Sequence, residues 1–163
     1  MRTLPLLTTL MSLAVSTAAL SAGTVQVTFV EPDKFSDAGR GSVDLERTTL
    51  AFDEHLKALG QRLPDGQSLR LQVTDIDLAG ELRPTRNGSD IRMLRGRADW
   101  PRVALRYELV QDGRMLKSGE ARVADMSYQQ ASLGMHRGEA YAYEFRMLDR
   151  WFSEQILAAR PSK

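Results

Sequence analysis

The sequence predicts a two-layer α+β sandwich, in which a mixed four- to five-stranded sheet packs one face against two helices. Three observations support this class. A strand, a helix and a second strand follow one another in residues 24–74, which is the order of a βαβ unit. A β-hairpin follows, and a C-terminal helix comes last. Each helical segment has a single apolar stripe, which one face of a sheet can bury.

The βαβ unit is predicted from two kinds of periodicity. Apolar and polar residues alternate in residues 24–30 and again in residues 68–74, as in half-buried strands. Between them, apolar residues recur at steps of three and four through residues 45–63, which predicts a helix capped by Ser42 or Asp44. A helical crossover between two strands predicts that they are parallel.

A hairpin is predicted around Gln111-Asp112-Gly113. A two-residue turn at Asp112-Gly113 would mix apolar and polar residues on both faces of the hairpin. A three-residue loop with Gly113 in the left-handed conformation pairs Leu109 with Met115 and keeps one face apolar, so we predict this register. The C-terminal helix is marked by five apolar residues at helical spacing, namely Tyr141, Phe145, Leu148, Phe152 and Ile156.

The first 22 residues have the composition of a cleaved secretory signal peptide. Arg2 provides the positive start, residues 4–20 are mostly apolar, and Ser21-Ala22 offers small residues for cleavage. The apolar run is shorter than a typical membrane span. We therefore predict a periplasmic protein with one mature domain, residues 23–163, and no transmembrane anchor.

Composition excludes several classes of function. The chain has no cysteine, which excludes disulfides, thiolate metal sites and cysteine nucleophiles. The leader carries one of the 22 basic residues, so the mature chain has equal numbers of basic and acidic residues. This balance, and the absence of aromatic residues from the polar strand faces, argue against nucleic-acid binding. No nucleophile or nucleotide motif is present, and we expect neither a cofactor nor catalysis.

Alternation places a set of polar side chains on the sheet face opposite the core. Two helices cannot easily cover both faces, so we expect this face to be open, with arginines outnumbering Glu108 and Glu120. It is either a solvated face with cross-strand ion pairs or a binding surface. As a binding surface it would suit an anionic envelope component or an acidic protein surface. The candidate binding residues, including two from the arginine-rich segment 79–99, are Arg70, Arg102, Arg106, Arg122, Arg83 and Arg92.

A pair of carboxylates stands at the end of the second strand. Strict alternation would turn Asp75 and Asp77 inward, unless the strand bulges near Thr74. Together with Glu81 they form the alternative candidate site, that of a hydrolase or a metal-binding protein. We favour a bulge with the carboxylates ion-paired to nearby arginines. The arginines expected in these pairs are Arg83, Arg92 and Arg95.

The only two histidines lie far apart in the sequence. His55 stands at the edge of the first helix's apolar stripe, and His136 lies in a glycine-flanked loop. Two histidines and a carboxylate could share a metal ion, but these lack a ligand spacing such as i, i+4. We therefore expect a helix-flank histidine and a solvated loop histidine, and no metal site.

Five segments, spread over the whole mature chain, carry a family resemblance. They are VTFVEPDKFSD at 27–37, VTDIDLAGE at 73–81, DIRMLRGRADWPR at 90–102, SGEARVADMSY at 118–128 and MLDRWF at 147–152. Together they resemble the domain-of-unknown-function family DUF3016, whose members look like short, signal-bearing proteins of Gram-negative bacteria. The resemblance implies export and a single domain. It supplies no activity, cofactor or catalytic residue.

Overall fold

The computed structural model describes residues 23–86, 90–96 and 98–158. The predicted signal peptide, residues 1–22, lies outside the described residues. The strands are β1 (Thr24–Phe29), β2 (Gln67–Asp77), β3 (Glu81–Pro84), β4 (Asp90–Met93), β5 (Arg102–Gln111) and β6 (Arg114–Ala124). The helices are α1 (Gly41–Leu59) and α2 (Ala142–Trp151), and α2 continues as a π-helical segment over Phe152–Leu157.

The strands form a four-stranded mixed sheet in the order β1-β2-β5-β6 and a separate two-stranded sheet, β3-β4. β1 and β2 are parallel, and β5 is antiparallel to both of its neighbours. The α+β class and the βαβ unit are therefore as predicted. The arginine-rich segment 79–99 contains the β3-β4 hairpin, which stands outside the main sheet.

The hydrophobic core lies between the main sheet and the two helices. Leu69 and Leu71 of β2, Phe52 of α1 and Leu148 of α2 are almost completely buried in one continuous cluster. Burying a side chain of this size stabilises the fold by about 1.5–3 kcal/mol. Both helices therefore pack on one face of the sheet, as their single apolar stripes predict.

A β-bulge interrupts the alternation of β2. Val73 pairs with Leu105 and Asp75 with Ala104, so Thr74 is an extra residue in β2. Beyond it, Ile76 is fully buried, while Asp75 and Asp77 lie on the other side of the sheet. The bulge near Thr74 is thus confirmed, and it keeps two carboxylates out of the core.

The predicted hairpin register is wrong. Asp112 and Gly113 form a two-residue turn with both residues left-handed (φ 49° and 79°), so that Val110 pairs with Met115. Leu116 is then an extra residue in β6, and Leu109 pairs with Lys117. This bulge restores the apolar alternation that the tight turn alone would have mixed, which is why a longer loop is unnecessary.

Lys117 lies on the helix side of β6, where a charged side chain needs partners. Its ammonium stands 5.8 Å from the centre of the Tyr107 ring and donates hydrogen bonds to the backbone oxygen (2.9 Å) and side-chain oxygen (3.1 Å) of Gln155. Gln155 belongs to the π-helical segment, so Lys117 ties the end of the C-terminal helix to the edge of the sheet.

No helix among the described residues is long and apolar enough to cross a membrane.

Replacement of Gly113 tests the two-residue turn. A Cβ added there would contact nothing within 4 Å, so the cost of Gly113→Ala comes only from its left-handed backbone (φ +79°). We expect a loss of about 1–2 kcal/mol in the free energy of unfolding, measured by urea denaturation. Gly113→Asn is the matched control and should lose less, because asparagine tolerates this conformation. Equal stability of wild type and Gly113→Ala would contradict the turn.

Candidate functional site

The face of the main sheet opposite the helices, here called the polar sheet face, carries four arginines with exposed side chains. Arg70 comes from β2, Arg102 and Arg106 from β5, and Arg122 from β6. The structure therefore brings four of the six predicted binding residues onto one surface. Arg83 and Arg92 belong to the β3-β4 hairpin instead.

Three of these arginines have acidic partners. Arg106 Nε lies 2.7 Å from Glu120 Oε1, and Arg70 Nη1 lies 3.6 Å from Glu108 Oε2. Arg102 donates two hydrogen bonds to Asp77. The hydrogen bond from Arg106, and then its charge, hold the pKa of Glu120 below its usual range. The pairs of Arg70 and Arg106 are exposed, so a ligand can displace them at small cost, whereas the side chain of Asp77 is only 19% exposed.

Arg122 differs from the other three. It is exposed, and within the part of the chain that the structure describes it has no acidic side chain at ion-pair distance. It lines a cavity of about 430 Å³ together with Ser36, Asp75, Asp77 and Arg102. Together with Arg106, the charge of Arg122 helps to lower the pKa of Glu120, but no carboxylate of the described residues is bound to the Arg122 guanidinium.

The charge balance of the polar sheet face differs from the expectation. The sequence places two glutamates beside the four arginines, but the bulge at Thr74 adds Asp75 and Asp77 to the same face. Four carboxylates therefore stand against four arginines. The face is not broadly cationic, and its attraction for an anion is concentrated at Arg122.

The alternative carboxylate site is not assembled. Asp75 accepts hydrogen bonds from the backbone N–H (2.7 Å) and hydroxyl (2.8 Å) of Ser36. Asp77 is held by Arg102, whereas Glu81 on β3 pairs with two other arginines. Of the expected pairings with segment 79–99, only those between Glu81 and Arg83 (3.0 Å) and between Glu81 and Arg95 (3.0 Å) occur, and neither aspartate takes part.

Arg92 is engaged in bonds within the domain rather than exposed on the surface. Its Nη1 donates to the backbone oxygens of Ala79 (3.0 Å) and Gly80 (3.3 Å) and to Asp37 Oδ2 (3.3 Å). Its side chain is only 22% exposed. These bonds fasten the β3-β4 hairpin to the main domain, so Arg92 is a poor candidate for ligand binding.

Glu144, which the sequence does not single out, is a buried carboxyl group close to this junction. Its Oε1 accepts the Ala79 N–H at 2.8 Å, and only 3% of the residue is exposed. Burial raises the pKa of Glu144, and this effect exceeds the lowering by the Ala79 hydrogen bond and by the charge of Arg92. An acidic residue in the first turn of a helix ordinarily indicates an exposed side chain, so the sequence contains no signal for this burial.

His55, His136 and Asp149, here called the histidine cluster, form a second polar group in the interior. Asp149 Oδ2 lies 2.7 Å from His136 Nε2, and Asp149 Oδ1 lies 3.1 Å from His55 Nε2. His136 Nδ1 lies 3.0 Å from Glu139 Oε2. His136 is 5% exposed, so the expectation of a solvated loop histidine is wrong. A short helical turn, Gly134–His136, directs the His136 side chain towards the helices. No spacing of residues in the sequence predicts this burial.

The surroundings of the histidine cluster fix its side chains. The His55 ring stacks on Phe145, with centroids 4.1 Å apart and planes 4° from parallel. Burial raises the pKa of Asp149, but the imidazoles of His55 and His136 outweigh burial, and the net result is a lowered pKa. Asp149 is therefore held as a carboxylate between two imidazole rings.

The raised pKa of Glu144 predicts a specific pH dependence of stability. The folded protein holds this proton more tightly than the unfolded chain, so the contribution of Glu144 to stability is fully present below pH 4.5 and is lost as pH rises through the raised value. Glu144→Gln keeps an oxygen for the Ala79 N–H and has no charge to bury. We expect the variant to lose this part of the pH dependence in urea unfolding between pH 4 and pH 8. The exposed Glu154→Gln is the control, and identical pH profiles for wild type and Glu144→Gln would refute the assignment.

Comparison with known proteins places the chain in a family without assigning it an activity. No curated protein matches it, and no solved structure matches it. The family model described as "Protein of unknown function (DUF3016)" matches residues 23–154, which include every strand, both helices, the polar sheet face and the histidine cluster. The chain therefore belongs to the DUF3016 family.

Proposed function

We propose that the protein is an exported, non-catalytic binding module of the bacterial cell envelope, and that it holds an anionic group of its partner on the polar sheet face. The observation that carries this proposal is Arg122. Its exposed guanidinium lies in the wall of a cavity and has no carboxylate partner among the described residues. It can therefore donate hydrogen bonds to a carboxylate or phosphate of a partner. Carboxylate and phosphate groups match its planar set of donors.

The neighbours of Arg122 extend this site. Arg102 lines the same cavity of about 430 Å³, and Arg106 lines an adjoining cavity of about 470 Å³ that also includes Arg122. Arg106 is engaged in an exposed ion pair, which an incoming anion can exchange at small cost, and Arg102, whose own side chain is 54% exposed, can donate to the anion beside Asp77. Arg70 stands further along the face beside Glu108. The proposed site is thus centred on Arg122, with Arg102 and Arg106 as exchangeable donors.

The chemistry of the polar sheet face supports binding rather than catalysis. Both histidines of the chain belong to the histidine cluster, so this face has no imidazole to act as a general base. Asp75 is occupied by Ser36, and Asp77 by Arg102. Because Glu81 is engaged by Arg83 and Arg95, we do not propose the hydrolase or metal-binding site at Asp75, Asp77 and Glu81.

Replacement of Arg122 tests the binding surface. Arg122→Gln breaks no ion pair among the described residues, so its melting temperature should stay close to that of wild type. A charged hydrogen bond contributes about 1.5–3 kcal/mol, so we expect at least roughly tenfold weaker binding at low salt. The probes are phosphatidylglycerol vesicles, which present phosphate, and a glutamate-rich peptide, which presents carboxylate. Binding to either should also weaken steeply with added salt.

The control is Arg137→Gln, which removes one exposed arginine from a loop. It should bind either probe as tightly as wild type. Failure of both probes to bind the wild-type protein would count against the proposal. An equal loss for Arg122→Gln and Arg137→Gln would attribute binding to overall charge rather than to the polar sheet face.

The signal-peptide pattern predicts export. Intact-mass measurement of the protein from a periplasmic fraction should show a chain that begins at Ala22 or Gly23. Recovery of the full-length chain in the membrane pellet would show instead that the apolar segment is retained as an anchor.

A further inference from the structure

We infer that the histidine cluster is a binding site for a divalent transition-metal ion of the zinc class. One ligand atom from each of His55, His136 and Asp149 lies within 4.8 Å of the other two. Among the described residues this is the only group of three or more such side chains with that spacing. Two imidazole nitrogens and a carboxylate oxygen are a donor set that Zn²⁺ uses in sites with three protein ligands.

Two atoms of the cluster lack the partners that burial demands. His55 Nε2 and Asp149 Oδ1 are 3.1 Å apart, yet they are not aligned for a hydrogen bond, and neither has a hydrogen-bond partner. Buried polar atoms are nearly always paired, so this pair requires an explanation. Tetrahedral Zn²⁺ with bonds of about 2.0–2.1 Å separates its ligand atoms by roughly 3.3 Å. An ion ligated by both atoms would satisfy them with little movement of either side chain.

The partner of His136 orients its ring for metal binding. When Nδ1–H donates to Glu139 Oε2 (3.0 Å), Nε2 is directed at Asp149 Oδ2 (2.7 Å). In that tautomer the Nε2 lone pair is directed into the cluster, which is the orientation of a metal-binding imidazole. A carboxylate that binds the distal nitrogen of a ligating histidine is a recurrent feature of zinc sites.

Charge and access also fit a dication. With neutral imidazoles, Asp149 and Glu139 bring two negative charges, which balance one divalent ion. The side chains of His55 and Asp149 are 13% and 23% exposed, so the cluster lies near the surface although its ligand atoms are buried. The two imidazole ligands disfavour Mg²⁺ and Ca²⁺, because those ions select oxygen ligands.

The three ligands come from α1, from the short turn before α2 and from α2 itself. A metal ion here would add a bond between three segments that already meet through side-chain packing and the His136–Asp149 hydrogen bond. Because it binds the folded chain and not the unfolded one, it should raise the melting temperature, and the rise should grow with the logarithm of the free ion concentration once that concentration exceeds the dissociation constant.

Titration of the purified mature protein with Zn²⁺ by calorimetry tests the inference. We expect one ion per chain, and no saturable binding of Mg²⁺. His55→Gln and Asp149→Asn should each weaken Zn²⁺ binding at least a hundredfold. Asp53→Asn, which removes an α1 carboxylate that pairs with Lys57, is the matched control and should bind Zn²⁺ as wild type does. Arg122→Gln should also bind normally, so failure of the proposed function would leave this result intact.

A second measurement avoids the risk that a variant does not fold. In wild-type protein, Zn²⁺ should shift the ¹⁵N resonances of His55 Nε2 and His136 Nε2, and Co²⁺ should give the visible absorption of a four-coordinate site. Absence of stoichiometric Zn²⁺ binding, or binding that leaves both histidine resonances unchanged, would overturn the inference. The cluster would then be a hydrogen-bonded network that joins His136 to Asp149 and Glu139.

Discussion

The extra residue at Thr74 is the constraint on which both faces of the sheet depend. If β2 continued its alternation without a bulge, Asp75 and Asp77 would point into the core and Ile76 would point to solvent. Two unpaired buried carboxylates would cost far more than the local loss of ladder hydrogen bonds. With the bulge, Ile76 completes the apolar layer, and Asp75 and Asp77 join the polar sheet face. The bulge therefore completes the core and also brings Asp75 and Asp77, two of the four carboxylates of the polar sheet face, to that face.

Periodicity predicts the helices and strands in which apolar residues recur at a regular spacing over the whole element. The parallel β1-β2 pair, α1 and the apolar stripe of α2 all follow from alternation or helical spacing. The hairpin register does not, because two solutions preserve the same alternating faces. One uses a longer loop, and the other combines the tight Asp112-Gly113 turn with a bulge at Leu116. Alternation has a period of two, so a register displaced by two residues leaves no trace in the pattern.

Contacts between distant segments are where sequence reasoning ends. Arginine is usually a surface residue, yet Arg92 binds Asp37 and two backbone oxygens. Glu144 and His136 become buried for a related reason, because the segments before and after them fold back on α1 and on residues 78–80. Each partner lies in another element, and pairings of this kind depend on how the loops close. A single sequence without aligned relatives contains no signal for them.

The polar sheet face and the histidine cluster lie in different layers of the sandwich. Arg122 projects from the side of the sheet that the helices leave open, whereas His55 and Asp149 are side chains of the helices themselves. The apolar core lies between the layers and separates the two sites. A metal ion would act on the surface through rigidity alone, by holding the helices against the sheet that presents Arg122. Any coupling between the two sites therefore passes through the packing of the helices on the sheet, since the sites share no residue.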